Sequence, residues 1–413
     1  MDILEKKKRN YAQLILERGI GLIDGEILVM EDVEVRDIEF IRVLAEKAYE
    51  LGAKDVVVHF CDQKLTQLKL QNADIESISQ MPYWWVASRE WYADKKGCYL
   101  RVLGNPPCEQ TNVSEERIGV WNRAITEPLK QLSFVKKENQ VKWSAVAVAN
   151  KEWASIVFPN EPPGQAERHL WDVIFKSCYV TEESGTQGWD CHIADIQSTV
   201  KKINDFRVRK LHFVNELGTD LEIELCKNAI FAGGICHCPE PDGDCFAPNI
   251  PTEEILSTPH KYRVNGRVCS SMPFVYSGVV IRKMVLIFQN GKVVNFSAEE
   301  GEDVLKSMLE TDEGASYLGE VALVPYNSPI RKEGVLFYNT LFDENAACHL
   351  ALGAGYTDMI IGKDRSKEAL KKRGLNLSAI HVDFMFGTSD LVCIATNEDG
   401  IKRKIMEDGV FCI

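Results

Sequence analysis

The sequence predicts an α/β fold, in which an N-terminal α/β domain with a mostly parallel sheet precedes a β-rich α+β C-terminal domain. In the first half, apolar strand-like runs alternate with amphipathic helical stretches, which is typical of a parallel sheet covered by helices. From about Arg209 onward, short alternating segments separated by Gly, Asn and Pro replace that pattern. We therefore predict domains at 1–205 and 206–413, with the boundary near Asp205.

The first elements form a strand-helix-strand unit. Residues 25–30 are predicted as a strand, 37–51 as a helix and 54–60 as a second strand. Apolar residues recur along the helix at the spacing of one helical face. Gly52 follows it, where a glycine is favoured after a helix C-terminus.

The remaining elements follow from the same patterns. We predict strands over 98–103 and 143–149 and helices over 114–132 and 166–175, then in the second half strand segments over 211–214, 220–225 and 276–288.

Composition limits the partners of the protein. A net charge of -13 over 413 residues argues against nucleic acid or an anionic membrane surface as a partner. No run of about 18 apolar residues is present, so we expect no membrane span. The 13 cysteines, an odd number spread along the chain, are typical of reduced thiols, and we expect a cytoplasmic protein.

Two motifs in the second half carry weaker signals. Cys236-His237-Cys238 with Cys245 invites a zinc-site interpretation, but the spacing fits none of the usual structural zinc patterns and favours a plain loop. Gly353-Ala354-Gly355 lacks a full glycine fingerprint at a strand-to-helix junction, so we interpret it as close packing.

Five residues in the last two-fifths of the chain are candidate metal ligands. They are Glu254, Glu320, His349, His381 and Asp383. Mixed carboxylates and imidazoles suit a pair of hydrolytic metal ions. In His381-Val382-Asp383 the two polar side chains share one face if the segment is a strand.

Each candidate alone has a structural alternative. Glu254 could begin a helix after Pro251-Thr252, and Glu320 could lie on a solvated strand face. His349 follows a small, apolar stretch suited to a close-packed helix, where a buried neutral histidine with one hydrogen bond is common. His381 and Asp383 could be a hydrogen-bonded pair. Their joint occurrence is what favours a metal site.

Several segments closely resemble the thermophilic-type metalloaminopeptidases, the aminopeptidase T family. The resemblance covers nearly the whole chain and is densest after Phe231. It rests on Leu51-Gly52-Ala53-Lys54-Asp55-Val56-Val57-Val58, Asn249-Ile250-Pro251-Thr252-Glu253-Glu254, Leu318-Gly319-Glu320-Val321-Ala322-Leu323-Val324, Phe337-Tyr338-Asn339-Thr340-Leu341-Phe342-Asp343-Glu344-Asn345 and His381-Val382-Asp383-Phe384-Met385.

The resemblance implies a cytosolic, homodimeric exopeptidase that acts on peptides with a free N-terminus and holds two divalent metal ions. It assigns ligand roles to the five candidates and a catalytic role to Tyr356. The choice of Glu254 over Glu253 as ligand follows the family pattern, and either Glu320 or Glu253 is expected to carry the proton to the leaving amine. The ligand types admit zinc, cobalt or manganese.

Two other functions compete with this one. A non-catalytic metal- or nucleotide-binding protein could retain the same fold, since fold does not fix function. The presence of all five candidate ligands argues against it. A nucleotide-dependent oxidoreductase would use the strand-helix-strand half, but no glycine fingerprint follows Met30 or Val58.

Overall fold

A computed structural model describes residues 2–104, 113–239 and 243–413 of the protein. The strands, in chain order, are β1 (Ile27–Glu34), β2 (Asp55–Cys61), β3 (Cys98–Leu103), β4 (Trp143–Ala147), β5 (Val208–Val214), β6 (Asp220–Leu225), β7 (Cys236–His237), β8 (Cys245–Phe246), β9 (Asn249–Ile250), β10 (Ile255–Ser257), β11 (Pro259–Cys269), β12 (Phe274–Tyr276), β13 (Val279–Ile281), β14 (Val285–Gln289), β15 (Lys292–Ser297), β16 (Leu318–Leu323), β17 (His349–Gly353), β18 (His381–Met385), β19 (Val392–Asn397), β20 (Lys402–Glu407) and β21 (Val410–Phe411).

The helices lie between these strands. They are α1 (Ile3–Leu14), α2 (Ile38–Glu50), α3 (Gln63–Asn72), α4 (Ile75–Ile78), α5 (Tyr83–Ala93), α6 (Glu115–Thr126), α7 (Lys130–Lys137), α8 (Lys151–Val157), α9 (Pro163–Ser177), α10 (Gln187–Asp205), α11 (Glu302–Leu309), α12 (Pro329–Lys332), α13 (Thr340–Asp343) and α14 (Lys367–Lys372), with a π-helical stretch at Ile15–Gly19 and 3-10 turns at Val35–Asp37 and Glu344–Ala346. No helix among the described residues is long and apolar enough to cross a membrane.

The chain divides into two compact units. Unit 1 consists of Met1–Cys191 and Ile235–Pro251, and unit 2 consists of His192–Gly234 and Thr252–Ile413.

Unit 1 is built on a five-stranded parallel sheet with the order β2-β1-β3-β4-β9. The predicted strand-helix-strand unit is its first part, so the α/β prediction is confirmed. Helix α2 buries Ile41, Leu44 and Ala48, three residues of the face that its apolar spacing predicted, together with Phe40. Gly52 follows with a φ of 91°, a left-handed conformation that glycine adopts without a Cβ penalty.

One predicted element of unit 1 is wrong in extent. The helix predicted over 114–132 is two helices, α6 and α7, with a break between Thr126 and Lys130. Pro128 lies in that break. A proline has no N–H for the helical ladder and disfavours a helical conformation in the residue before it, so the first helix ends there.

Unit 2 is β-rich, as predicted. Its larger sheet has eight antiparallel strands in the order β15-β14-β11-β6-β5-β19-β20-β21. A separate four-stranded antiparallel sheet has the order β10-β16-β17-β18. Every residue of β16 and β17 is buried. The two central strands of this sheet therefore hold their side chains in fixed positions.

Candidate metal centre

The register of the four-stranded sheet brings the candidate ligands together. Glu320 of β16 lies opposite Ala351 of β17, and Ala351 lies opposite Asp383 of β18. Directly opposed residues in antiparallel strands share a face, and so do residues two apart on one strand. His349 and His381 therefore point to the same face as Glu320 and Asp383. The small side chain of Ala351 leaves space in the middle of this group.

Glu254 reaches the same group from the sheet edge. It lies in the extended segment directly before β10, whose Ile255 pairs with Leu323 of β16. Its Oε2 lies 3.3 Å from Nε2 of His349.

Glu320 lies between the two histidines. Its Oε1 is 3.7 Å from Nε2 of His349, and its Oε2 is 3.0 Å from Nε2 of His381. The same Nε2 of His381 lies 3.4 Å from Oδ1 of Asp383. The ligand atoms thus form two groups that share Glu320: one with Glu254 and His349, the other with His381 and Asp383.

Backbone carbonyls orient both imidazole rings. Nδ1 of His349 lies 3.3 Å from the carbonyl oxygen of Ala347, and Nδ1 of His381 lies 2.8 Å from that of Ala354. A carbonyl oxygen only accepts, so each Nδ1 is the donor and each Nε2 faces the carboxylates. This arrangement is typical of metal-binding histidines, whose second nitrogen is fixed by a partner outside the metal site.

The electrostatics of the group follow from its burial. Burial raises the pKa of Glu254. Burial alone would also raise the pKa of Glu320, but hydrogen bonds from the two imidazoles lower it to about 2. Burial alone would lower the pKa of both histidines, whereas hydrogen bonds with the carboxylates raise it well above 6.5.

The donor set fits divalent metal ions. Glu254 and Glu320 are buried, and Asp383 is largely buried, yet the charged partners that the structure gives this group are imidazoles. Oδ1 of Asp383 is buried and accepts no hydrogen bond within the described protein. Buried carboxylates are normally paired or bound to a metal. The imidazole nitrogens and carboxylate oxygens suit Zn²⁺, Co²⁺ or Mn²⁺.

Glu253 lies apart from both ligand groups. Its backbone N–H donates to Oδ1 of Asn345 at 2.6 Å, and its Oε1 lies 3.7 Å from Nε2 of His192. Only 5% of Glu253 is exposed. It is a buried carboxyl next to the site rather than a member of the group.

Tyr356 lies beside His381 of the second ligand group. Its ring contacts that of His381, with the ring centroids 5.2 Å apart. The residue is 41% exposed, but burial of its hydroxyl end, together with the charges of Glu320 and Asp383, raises its pKa well above 10. The phenol therefore stays protonated and can donate a hydrogen bond near neutral pH.

Glu344 is a site residue that the sequence analysis missed. Burial, and then the charge of Glu254 and Asp383, raises its pKa well above 4.5. It also lines a cavity of about 210 Å³ whose wall includes His381 and Asp383. The sequence did contain a signal for Glu344, because this residue lies within one of the segments that carried the family resemblance. Its neighbour Asp343 is also acidic, so the sequence alone did not distinguish the two residues.

Three of the structural alternatives are wrong. No helix begins at Glu254, since a strand follows it directly, and Glu320 is on a strand but only 2% exposed rather than solvated. His349 is the first residue of β17 and not part of a helix. His381 and Asp383 do share a strand, as the pattern predicted.

The cysteine motif is a short hairpin. Cys236 pairs with Phe246 and His237 with Cys245, and the cysteines that the structure describes form no disulfide with one another. Among the described residues, the motif does not bring three ligand atoms together.

The chain matches a protein family, individual relatives and a solved structure. Residues 4–411 match the family model described as thermophilic metalloprotease (M29). The chain is 38% identical to aminopeptidase AmpS of Bacillus subtilis over 99% of each chain, and 34% identical to aminopeptidase T of Thermus aquaticus over the full length of both. The solved structure of wild-type AmpT from Thermus thermophilus superposes with a TM-score of 0.92 at 33% identity, covering 99% of this chain and 100% of that one.

Proposed function

This chain belongs to the M29 family of thermophilic metalloproteases, and from that premise we propose that it removes the N-terminal residue of peptides through a dinuclear metal site with a bridging water. It is a metalloaminopeptidase, a hydrolase that uses divalent metal ions. The observation that carries the dinuclear proposal is Glu320, which turns one carboxylate oxygen toward each histidine.

Two ligand groups would hold the ions. Glu254 and His349 would bind one, His381 and Asp383 the other, and Glu320 would bind both. Zinc, cobalt and manganese all suit these ligands. We add Glu344 as a further acidic residue of the site, because it lines the same cavity as His381 and Asp383.

Two such ions, when bound, supply a water of lowered pKa as nucleophile and positive charge at the peptide carbonyl. Tyr356 would donate its phenolic hydrogen bond to the oxygen of that carbonyl, where negative charge develops. Glu253 would carry a proton to the leaving amine. We favour it over Glu320 for this task, because both oxygens of Glu320 already face imidazoles.

The carboxylate count supports an aminopeptidase in particular. Glu254, Glu320, Asp383 and Glu344 interact electrostatically with one another, and four carboxylates balance two divalent ions. A deprotonated water held by the two ions would give the site a net negative charge. That charge favours the free ammonium group of a peptide N-terminus and disfavours an acetylated one.

The experiment uses short peptides, free and N-acetylated, with metal-stripped protein before and after addition of zinc, cobalt or manganese. We expect metal-restored release of the N-terminal residue from free peptides alone, with His381→Ala inactive. Cleavage of acetylated peptides at the same rate would contradict an exopeptidase. Two bound ions without hydrolysis would favour the non-catalytic alternative.

We also propose a cytoplasmic homodimer, as the family resemblance implies. Light scattering of the purified chain tests the assembly. A mass near 93 kDa, about twice the 46.6 kDa of one chain, supports it, and a mass near that of one chain contradicts it.

A further inference from the structure

A cavity in unit 2 lies directly beside the second ligand group. Its volume of about 210 Å³ is below the roughly 300–1,000 Å³ of pockets that enclose a whole small-molecule ligand. His381 and Asp383 form part of its wall. A peptide bound with its first residue at the metal group would therefore place one side chain in this space.

Of the 13 residues that line the cavity, seven are apolar or aromatic, including Tyr338, and the others are polar or charged. The wall comes from the β12–β13 hairpin, the segment before α13 and β18, and the other apolar or aromatic members are Phe274, Val275, Tyr276, Leu336, Val382 and Met385. Of the acidic members, Asp383 belongs to the second ligand group, and Glu344 is the further acidic residue added to the site above. The third, Asp343, is only 6% exposed and is engaged by backbone amides.

Asp343 shapes the loop that closes one side of the cavity. Its Oδ1 accepts from the backbone N–H of Phe337 at 2.8 Å, and its Oδ2 accepts from that of Asn339 at 3.0 Å. The ring of Phe337 also packs on that of Phe342, 5.1 Å away between centroids. Both ends of the loop are thus fixed to α13.

Tyr338 lies between these two anchors in a strained conformation. Its φ is 54°, the left-handed region that residues with a Cβ seldom adopt. Tyr338 also lines the cavity. Backbone strain of this kind persists only when the surroundings enforce it, and it concentrates at ligand sites.

We propose that Tyr338, held in place by Asp343, is a specificity-determining residue that selects a large apolar side chain at the N-terminus of the peptide. This inference rests on the proposed aminopeptidase function. The cavity would bury a leucine or phenylalanine side chain against aromatic and aliphatic groups and leave it unfilled with alanine. Because such burial separates substrates by about 10- to 100-fold, kcat/KM should differ by that factor.

The test compares dipeptides that begin with Phe, Leu, Ala or Lys, using the metal-loaded full chain. Tyr338→Ala removes the ring and should reduce the Phe-to-Ala preference about tenfold, through a higher KM for Phe peptides. Tyr338→Phe should keep the preference. Asp343→Asn should lower it toward the value of Tyr338→Ala if the loop is held as described.

Tyr179 provides a matched control. It is a tyrosine in the same left-handed region, with a φ of 56°, but it lies in unit 1. Tyr179→Ala should lower thermal stability by an amount similar to Tyr338→Ala while leaving the preference unchanged. A preference that falls equally in both variants would show a general folding effect and would overturn the proposal.

Two further outcomes would also overturn it: an equal loss of kcat/KM on all four peptides in Tyr338→Ala, or a wild-type preference for Lys or Ala over Phe. Calorimetric binding of L-phenylalaninamide and L-alaninamide to the metal-free chain measures the same preference without turnover. Hydrolysis of Ala peptides with no selectivity in either assay defeats the specificity inference alone. Selective binding without any hydrolysis defeats the proposed function instead.

Discussion

Buried charge is handled differently in the two units of the molecule. In unit 1, Nζ of Lys142 donates to Oε2 of Glu26 and to the carbonyl oxygen of Gly21, both at 2.7 Å, and the lysine side chain is 4% exposed. In unit 2, buried carboxylates converge on imidazoles, and Oδ1 of Asp383 accepts no hydrogen bond within the described protein. Unit 1 completes its own ion pair, whereas the group in unit 2 needs positive charge from outside.

The largest expected effect comes from Glu320→Gln. The substitution keeps the side-chain shape but removes the charge that would be shared by both ions, so we expect kcat/KM to fall on the order of 10⁴-fold and metal content to fall with it. Steady-state kinetics and metal analysis on the same samples measure both. Retention of full activity would show that Glu320 is not the shared ligand.

Glu26→Gln makes the same chemical change in unit 1. It leaves Lys142 buried without its closest carboxylate, and we expect a loss of about 3 kcal/mol in the free energy of unfolding, at the lower end for a buried pair because Glu26 is 18% exposed. Urea denaturation measures the loss, and activity per folded molecule should not change. If Glu26→Gln lost activity but kept its stability, Glu26 would serve the reaction and not the stability of unit 1, which would contradict this account.

Removing the metal should affect unit 2 and leave the ion pair of unit 1 intact. Ions that bind the folded chain at about 100 times their Kd stabilise it by about 2.7 kcal/mol, so chelation should lower Tm by several degrees. Differential scanning calorimetry before and after metal addition measures this. The same addition to Glu320→Gln should give a clearly smaller rise, and an equal rise would place the bound metal elsewhere.

A smaller effect concerns Asp37, a buried carboxyl of unit 1 whose hydrogen-bond donor is an amide rather than a lysine. Its Oδ1 accepts from Nδ2 of Asn150, but its buried Oδ2 has no hydrogen-bond partner among the described residues, and burial raises its pKa to about 7. The folded state therefore holds this proton more tightly than the unfolded state. The stability from that proton is fully present below about pH 4 and is lost as pH rises through about 7.

Asp37→Asn should remove this pH dependence. At pH 8 we expect the variant to be more stable than the parent chain by about 1–4 kcal/mol, with little difference at pH 4, as measured by urea denaturation at both pH values. A stability difference that is the same at both pH values would show that Asp37 does not titrate in this range.

Local sequence patterns predicted the strands and helices of unit 1 well. They predicted poorly which secondary-structure elements carry the residues of the metal group. The parallel strands are apolar runs with helices between them, so β3 at Cys98–Leu103 could be predicted from its own residues. Pro128 also carried the signal for the break between α6 and α7. His381 and Asp383 could be placed on one face of a strand, because side chains two residues apart on a strand point to the same side and this follows from local sequence alone.

The rest depended on contacts distant in sequence. Glu254 precedes a three-residue strand, and His349 begins a five-residue strand, and both strands exist because they pair in the four-stranded sheet. Propensity over a few residues does not report such pairing. Glu344 joins the group through the same tertiary arrangement, which explains why the sequence did not separate it from Asp343.

The central claim is that unit 2 completes its buried charge with two divalent ions. Metal content per chain, measured by mass spectrometry after equilibration with zinc and removal of excess, tests it most directly. The account predicts two ions per chain in the parent protein and in Glu26→Gln, and fewer in Glu320→Gln. One ion or none in the parent chain, or two ions that remain bound in Glu320→Gln, would contradict it.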